Sequence, residues 1–451
     1  MSPINFKTLG EDIIAKAKKW GADEAEAVLE NVKSFNVDVR KGEIESLQKS
    51  VSQGLGLRVF INKQFGFGYT SDLSPSSVDE TIKKTIELAR LTESKPWQGL
   101  PDFGPQPLSN LDLYDPELAK VPDEKKIATA REVEKIALSL DKRITNSYGA
   151  GFSNGEREAG LFNSKGISCV LKATQCGFNV GVIAGEGNNM QSGGWSSSKR
   201  FYKELDSIES VAQKAVKVTV EQLGPKPVPT KKVPVIFDRY AAPSFWAGIL
   251  GALNGDAVFR KATFMTNSLN QEIASPMITV VDDPTIPRFV ASSPVDGEGN
   301  VTRGNVLIDK GVLKMFLYDS QIARKAGVKV NTMAGRGSYR SLPSASFLNV
   351  IVQNGKDSFD SLLKDVKEGL YVKGLRGSGT DATTGAFSVG CNGFWIENGA
   401  VAFPVDGVTL GGTTLEVLKG IDKVANDLDM RSSINSPSFR VKEIIVGGRK
   451  G

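Results

Sequence analysis

The feature that most constrains this chain is a series of short apolar–polar alternations between Ala25 and Thr70, broken by turn-like dipeptides. A period of two places alternate side chains on one face of a strand. The runs Ala25 to Val32, Phe35 to Arg40, Glu43 to Ser50, Gly54 to Ile61 and Phe65 to Thr70 therefore read as strands. Lys41-Gly42 and Asn62-Lys63 sit between runs as two-residue joints, which predicts an antiparallel meander. Helices flank it. Asn5 to Trp20 carries Leu9, Ile13, Ala17 and Trp20 on one face and stops at Gly21. Ser74-Pro75 opens a second helix, with Val78, Ile82, Ile86 and Ala89 spaced for burial. Helix, meander, helix makes an α+β unit.

The pattern then returns. Pro96 to Ser109 is rich in Pro and Gly and reads as a linker. A third helix is predicted from about Pro122 to Leu140, with Ile127, Ala130, Val133, Ala137 and Leu140 facing inward. A strand-rich stretch runs from Ile144 to about Ser198, with turns at Asn163-Ser164-Lys165-Gly166 and Gly185-Glu186-Gly187-Asn188, and a helix near Ile208 to Leu223 closes the unit. Gly224-Pro225-Lys226-Pro227-Val228-Pro229-Thr230-Lys231-Lys232 is the sharpest boundary, because its prolines favour an extended connector. Everything beyond is rich in β pattern and glycine. The expected fold is α+β, with two amino-terminal helix-and-meander domains (1–95 and 110–223) and a β-rich carboxyl-terminal domain (233–451). Residue identity between the first two is too low for a sequence repeat.

Composition removes most catalytic chemistry. The 451 residues include no histidine, which excludes Ser-His-Asp and Cys-His nucleophile systems and His-based zinc sites. The three cysteines, Cys169, Cys176 and Cys391, form no CxxC and no disulfide framework, as in a reducing compartment. Net charge is +5 and spread along the chain, so solubility explains it better than nucleic-acid binding. The amino terminus shows no signal-peptide pattern, and the longest apolar stretch, Ser244 to Leu253, is too short for a membrane helix. A cytoplasmic protein with no membrane partner is expected.

The remaining motifs have simpler readings than catalysis. There is no phosphate loop. Gly407 to Thr413 reads as a tight strand-to-helix turn in preference to an anion site. Asp296-Gly-Glu298-Gly-Asn300 begins like a calcium loop, but the later ligands do not follow. Three SxxK matches, Ser46–Lys49, Ser196–Lys199 and Ser361–Lys364, show how readily that pattern arises by chance. Asp282-Asp283 before Pro284 reads as a polar turn.

Several stretches, in order, resemble the TldD/PmbA family, peptidases also described as modulators of DNA gyrase. They are Ala274 to Pro284, Asp296 to Arg303 running into Asn305 to Asp319, Gly385 to Ser388 with Gly393 to Gly399, and Pro404 to Gly412 with Ala425 to Leu428. Arg40-Lys-Gly-Glu-Ile-Glu45 also looks like the family's first domain. Members of the TldD type resemble zinc peptidases with HExxxH on a helix and a later cysteine. The matching stretch here is Ser244 to Asp256, in which Asn254-Gly-Asp256 stands for the motif's closing Glu-Gly-Asp. Counting back puts Trp246 and Gly251 at the histidine positions and Ala247 at the glutamate, and Ser432-Ser-Ile-Asn-Ser-Pro437 has no cysteine.

These departures are similar to the PmbA type, also called TldE. The resemblance implies a metal-free, non-catalytic subunit of a cytoplasmic metallopeptidase complex that cleaves unfolded peptides, with peptide-antibiotic precursors and antitoxins among the family's substrates. No cofactor is expected on this chain; zinc is expected on a TldD-type partner. Partners would be that catalytic subunit in a heterodimer, or a second copy in a homodimer. Asn254, Gly255, Asp256, Arg303, Tyr318 and Asp319 are the candidate cavity or substrate contacts, each with a structural alternative. The rival readings are a gyrase-modulator type of binding protein and a self-sufficient homodimeric peptidase. Exposed strand edges in the β-rich domain are expected to hold an extended peptide.

Overall fold

The computed structural model describes residues 4–331 and 334–448. Helix α1 (Phe6–Lys19) precedes strands β1 (Glu24–Arg40), β2 (Glu43–Ile61) and β3 (Gln64–Thr70), and α2 (Pro75–Leu91) follows them. The second unit repeats the plan with α3 (Asp123–Ser139), β4 (Ile144–Asn163), β5 (Ser168–Ala184), β6 (Gln191–Lys199) and α4 (Ile208–Val220). The predicted joints are real turns: Lys41, Asn62 and Lys63 adopt positive φ, as does Gly42. The strands are longer than the alternation indicated. Ala25 to Val32 and Phe35 to Arg40 are one strand, and so are Glu43 to Ser50 and Gly54 to Ile61. Pairing carries through the apparent breaks, with Lys33 opposite Val51 and the Ser34 and Ser50 hydroxyls 2.7 Å apart.

The two amino-terminal units share one six-stranded antiparallel sheet, in the order β3-β2-β1-β4-β5-β6. β1 joins them, pairing with β2 on one edge and with β4 on the other, from Glu26 opposite Asn163 to Val39 opposite Ala150. The odd-numbered residues of β1 face the helices along its whole length. Ala25, Ala27 and Leu29 pack with Ile13, Ile82 and Ile86 of α1 and α2, whereas Phe35, Val37 and Val39 pack with Val133 and Ala137 of α3 and with Val211 and Ala215 of α4. Two cores thus lie under one face of one sheet. Its other face meets the carboxyl-terminal domain at Glu26, Val28 and Glu30.

That domain starts with β7 (Lys231–Phe237), α5 (Ala242–Ala252) and α6 (Gly255–Phe259). β8 (Val280–Asp282), β9 (Asn305–Asp309) and β10 (Val312–Leu313) come next, then α7 (Ser320–Ala326). β11 (Ala334–Gly335), β12 (Ser344–Ala345), β13 (Val350–Val352), α8 (Phe359–Leu363), β14 (Glu368–Leu375), β15 (Ala386–Glu397) and β16 (Ala400–Thr413) lead to α9 (Thr414–Lys419). β17 (Ile421–Val424), β18 (Ile434–Asn435) and β19 (Phe439–Gly447) complete it. One sheet has the order β16-β15-β14-β7-β19-β17, and β16 also pairs with β19, which closes it into a barrel. A second sheet runs β10-β9-β8-β13-β18. Both contribute to one large core, with α5 in it. Gly407 to Gly412 proves to be strand, and Thr413 opens α9 through a capping box with Glu416. Barrel closure removes edges, so the carboxyl-terminal sheet offers less open strand than expected. The outer edge of β2 beyond its pairing with β3 is open, and Glu43 to Ser52 are all exposed. Among the described residues no helix is long and apolar enough to cross a membrane.

Candidate functional site: a helix and a loop closed on each other

α5 is helical because it is almost wholly apolar, starts with Pro243 in its first turn, and buries Ala242, Phe245, Trp246, Ile249 and Leu250. Trp246 is completely buried, packed edge-on against Phe245 at 5.6 Å and against Phe439 at 6.2 Å. Its indole N–H donates to the Ser436 hydroxyl at 3.2 Å, and that hydroxyl donates onward to the Pro437 carbonyl. Helix α5 and the loop Ser432 to Pro437 therefore touch, although they are far apart in the chain. Ala247 and Gly251 lie on the opposite, exposed side of the helix. A Cβ at Gly251 would meet nothing, whereas one at Gly248 would come within 2.9 Å of Ser378 and Thr380 side chains. Gly248 is what lets that loop approach.

These residues do not fit a zinc ion. Indole, methyl and hydrogen supply no lone pair to a metal, and the Ser436 hydroxyl already accepts from the indole. Among the described residues no group of three or more His, Cys, Asp or Glu is placed to hold a metal. No carboxylate or imidazole stands at Ala247 to activate water.

Asn254, Gly255, Tyr318 and Asp319 come together where α5 ends. The Asn254 side chain caps α6, accepting from the N–H groups of Asp256 at 3.0 Å and Ala257 at 3.3 Å. The Gly255 N–H donates to Leu317, and the Leu317 N–H donates to Leu253. Glycine is required at 255, because a Cβ there would lie 2.2 Å from the Tyr318 ring. Burial pushes the Tyr318 phenol above its ordinary range. Asp319 caps α7 through the Ile322 N–H at 2.9 Å. Asp256 pairs with Arg260, four residues on, at 2.8 Å. Arg303 is exposed, and among the described residues no hydrogen bond or ion pair links it to this junction.

Sequence reasoning missed a buried charge cluster between the sheet and the carboxyl-terminal domain. Glu26 of β1 accepts from Arg58 of β2 at 2.8 Å and from Arg336 at 2.5 Å, with all three side chains buried. Burial pushes the Glu26 carboxyl up, but the two guanidinium groups hold it below its ordinary range. Glu298 lies 3.7 Å from Arg58 and accepts from the N–H and hydroxyl of Ser320, at 2.9 and 2.6 Å. Its carboxylate thus tethers α7. Burial beside Glu298 pushes Asp296 up to about 7, although its oxygen accepts from the Glu298 and Asn300 N–H groups. Asp282, also buried, is pushed up to about 6 while it accepts from the Leu348 and Asn349 N–H groups. The one available signal was a pair of glutamates, Glu26 and Glu30, at the inward positions of an apolar strand.

Comparison with known proteins matches the whole plan. The PmbA/TldA metallopeptidase domain 1 model fits residues 25–90, the central domain model residues 116–223, and the C-terminal domain model residues 230–448. The metalloprotease PmbA of Escherichia coli O157:H7 is 31% identical over 430 residues, 95% of this chain and 93% of that protein. A metalloprotease TldD homolog of Haemophilus influenzae is 26% identical over 427 residues, covering 88% of this chain and 87% of that one. A crystal structure of a candidate modulator of DNA gyrase from Bacteroides thetaiotaomicron superposes with a TM-score of 0.90 at 27% identity, over 100% of both chains. TldE from Thermococcus kodakarensis shares the fold, with a TM-score of 0.88 at 22% identity over 98% of this chain and 100% of that one. From its first strand to its last, this chain belongs to the PmbA/TldD metallopeptidase family.

Proposed function

We propose that this chain is the metal-free, non-catalytic subunit of a cytoplasmic TldD/TldE-type complex that cleaves unfolded peptides beside a zinc-bearing TldD-type partner. The observation that carries this reading is the contact between Trp246 and Ser436. The helix and loop that would converge on a metal still converge, but an indole fills the space and no general base accompanies it. The chain's share of the work is to complete the partner's enclosure and to guide an extended substrate, for which the open edge of β2 offers strand addition. Substrates would be threadable chains such as peptide-antibiotic precursors and labile antitoxins.

Co-expression with a TldD-type protein, followed by co-purification, metal analysis and a peptide-cleavage assay, tests the proposal. The expected result is a stable complex that hydrolyses peptides in a chelator-sensitive way, while this chain alone is inactive. Full-rate cleavage by the partner alone, or stoichiometric zinc on this chain, would defeat it.

A further inference from the structure

The helix-free face of the amino-terminal sheet and the carboxyl-terminal domain enclose a cavity of about 450 Å³, within the size range of small-ligand sites. Val32, Leu161 and Leu171 line it from the sheet and Val290 and Leu348 from the other side, and Arg200 also borders it. Most of its cations are already matched: Arg157 by Glu30 at 2.6 Å, Lys172 by Glu158 at 3.7 Å, and Arg336 by Glu26. Of the two carboxylates that line it, Glu156 shares its face of β4 with Phe152 and Phe162 and so projects toward the helices, and Asp296 is buried and accepts from the Glu298 and Asn300 N–H groups.

Arg200 is different. It is 8% exposed, and its four hydrogen bonds go to the carbonyls of Phe289, Thr174, Val290 and Ser292. Carbonyl dipoles use four of its five N–H donors and supply no opposite charge. Burial pulls this guanidinium down to about 10, and among the described residues no carboxylate pairs with it. Buried ions in proteins are ordinarily paired, and a largely apolar cavity beside a cation held only by carbonyls suits an apolar anion. The approach is open. On β4, Gly151, Ser153 and Gly155, and on β5, Gly177 and Asn179, form a low floor on the same face, and Gly155 also lines the cavity. Glycine inside strands marks places where another backbone comes close.

We propose that this cavity binds an aliphatic carboxylate, the C-terminal residue of an extended peptide, with its alkyl side chain among Val32, Leu171 and Val290 and its carboxylate facing Arg200. This deepens the peptide-guiding role and rests on it, but its test needs neither the partner nor cleavage. Titration calorimetry on the purified chain would compare acetyl-glycyl-glycyl-leucine with its C-terminal amide, and octanoate with octylamine. The free acid should bind at least about tenfold more tightly than the amide, the ratio expected for a charge-assisted contact. Ala173→Phe and Leu171→Trp, which fill the cavity and leave the Arg200 contacts in place, should both abolish binding while unfolding at the wild-type temperature. Binding of octanoate tighter than the peptide acid would replace the peptide terminus by a free fatty acid and overturn the assignment. Equal affinity of acid and amide, equal affinity of octanoate and octylamine, wild-type binding by a folded filled variant, or no binding at millimolar concentration would each overturn it as well. Failure here with an active complex would leave the subunit role standing.

Discussion

Glu26→Gln is the sharpest probe of how the carboxyl-terminal domain is fastened to the sheet. The substitution keeps the shape of the side chain and removes its charge, leaving Arg58 and Arg336 buried around a neutral amide. Removing one partner from a buried ion pair costs about 3–5 kcal/mol, because the remaining charge cannot recover its hydration. Two guanidinium groups lose their partner here, which argues for the upper end. Glu298, 3.7 Å from Arg58, takes up part of the charge and argues for the lower. A loss of about 3 kcal/mol in urea unfolding is therefore expected. Hydrogen exchange should locate it, with faster exchange at the amides of Ser320 and Tyr339, which are bound by Glu298 and Glu30. The effect should also depend on pH. The Glu26 carboxyl is held below its ordinary 4.5, so its stabilisation is present above that value and fades as pH falls below it. Wild type and variant should converge in acid. A loss under about 1 kcal/mol at neutral pH, the range of exposed ion pairs, would refute the reasoning.

Two further outcomes are expected. Trp246→Ala should cost roughly 3–5 kcal/mol in calorimetric unfolding, the range for truncating a large buried aromatic, whereas Trp246→Phe keeps a ring in place and should cost only about 0.5–1.5 kcal/mol, the net worth of the lost hydrogen bond to Ser436, whose hydroxyl keeps its bond to Pro437; equal effects would argue against the indole–hydroxyl contact. Asp296 binds a proton more tightly folded, at about 7, than its ordinary 3.8, so its contribution to stability is complete below 3.8 and is lost as pH rises toward 7. Asp296→Asn should flatten the stability–pH curve across that interval, and an unchanged slope would count against the burial of this carboxyl.

Local chemistry was legible in the sequence, and long-range pairing was not. Asn5, Ser74-Pro75 and Gly21 marked the ends of α1 and the start of α2 because capping depends on a few adjacent residues. Asp319 opens α7 by the same local chemistry, its side chain accepting from the Ile322 N–H. The strands of the first meander were read too short, because a polar break in the alternation does not break the β1–β2 ladder, which runs on through Lys33 opposite Val51 and Asn31 opposite Gln53. Nothing local to β1 says that its second edge belongs to β4, because that pairing is decided by which apolar faces four distant helices can cover together. The vacated motif on α5 could be located by counting. That its tryptophan reaches Ser436 depends on β19 bringing Phe439 under the helix. Arg200 was invisible for a simpler reason: its partners are backbone carbonyls, and among the described residues no carboxylate pairs with it.

The sheet shared by both amino-terminal units has a consequence for synthesis. When the first helix–strand–helix unit has emerged from the ribosome, β1 still lacks its neighbour along one whole edge, and β4 must be made before that ladder can form. Unpaired strand edges are sites of misassociation, and pairing across so long a stretch of chain is slow. Nascent chains stalled between the two units should therefore be the species that most needs a chaperone, and severing the linker should yield two aggregation-prone halves in place of two small soluble domains.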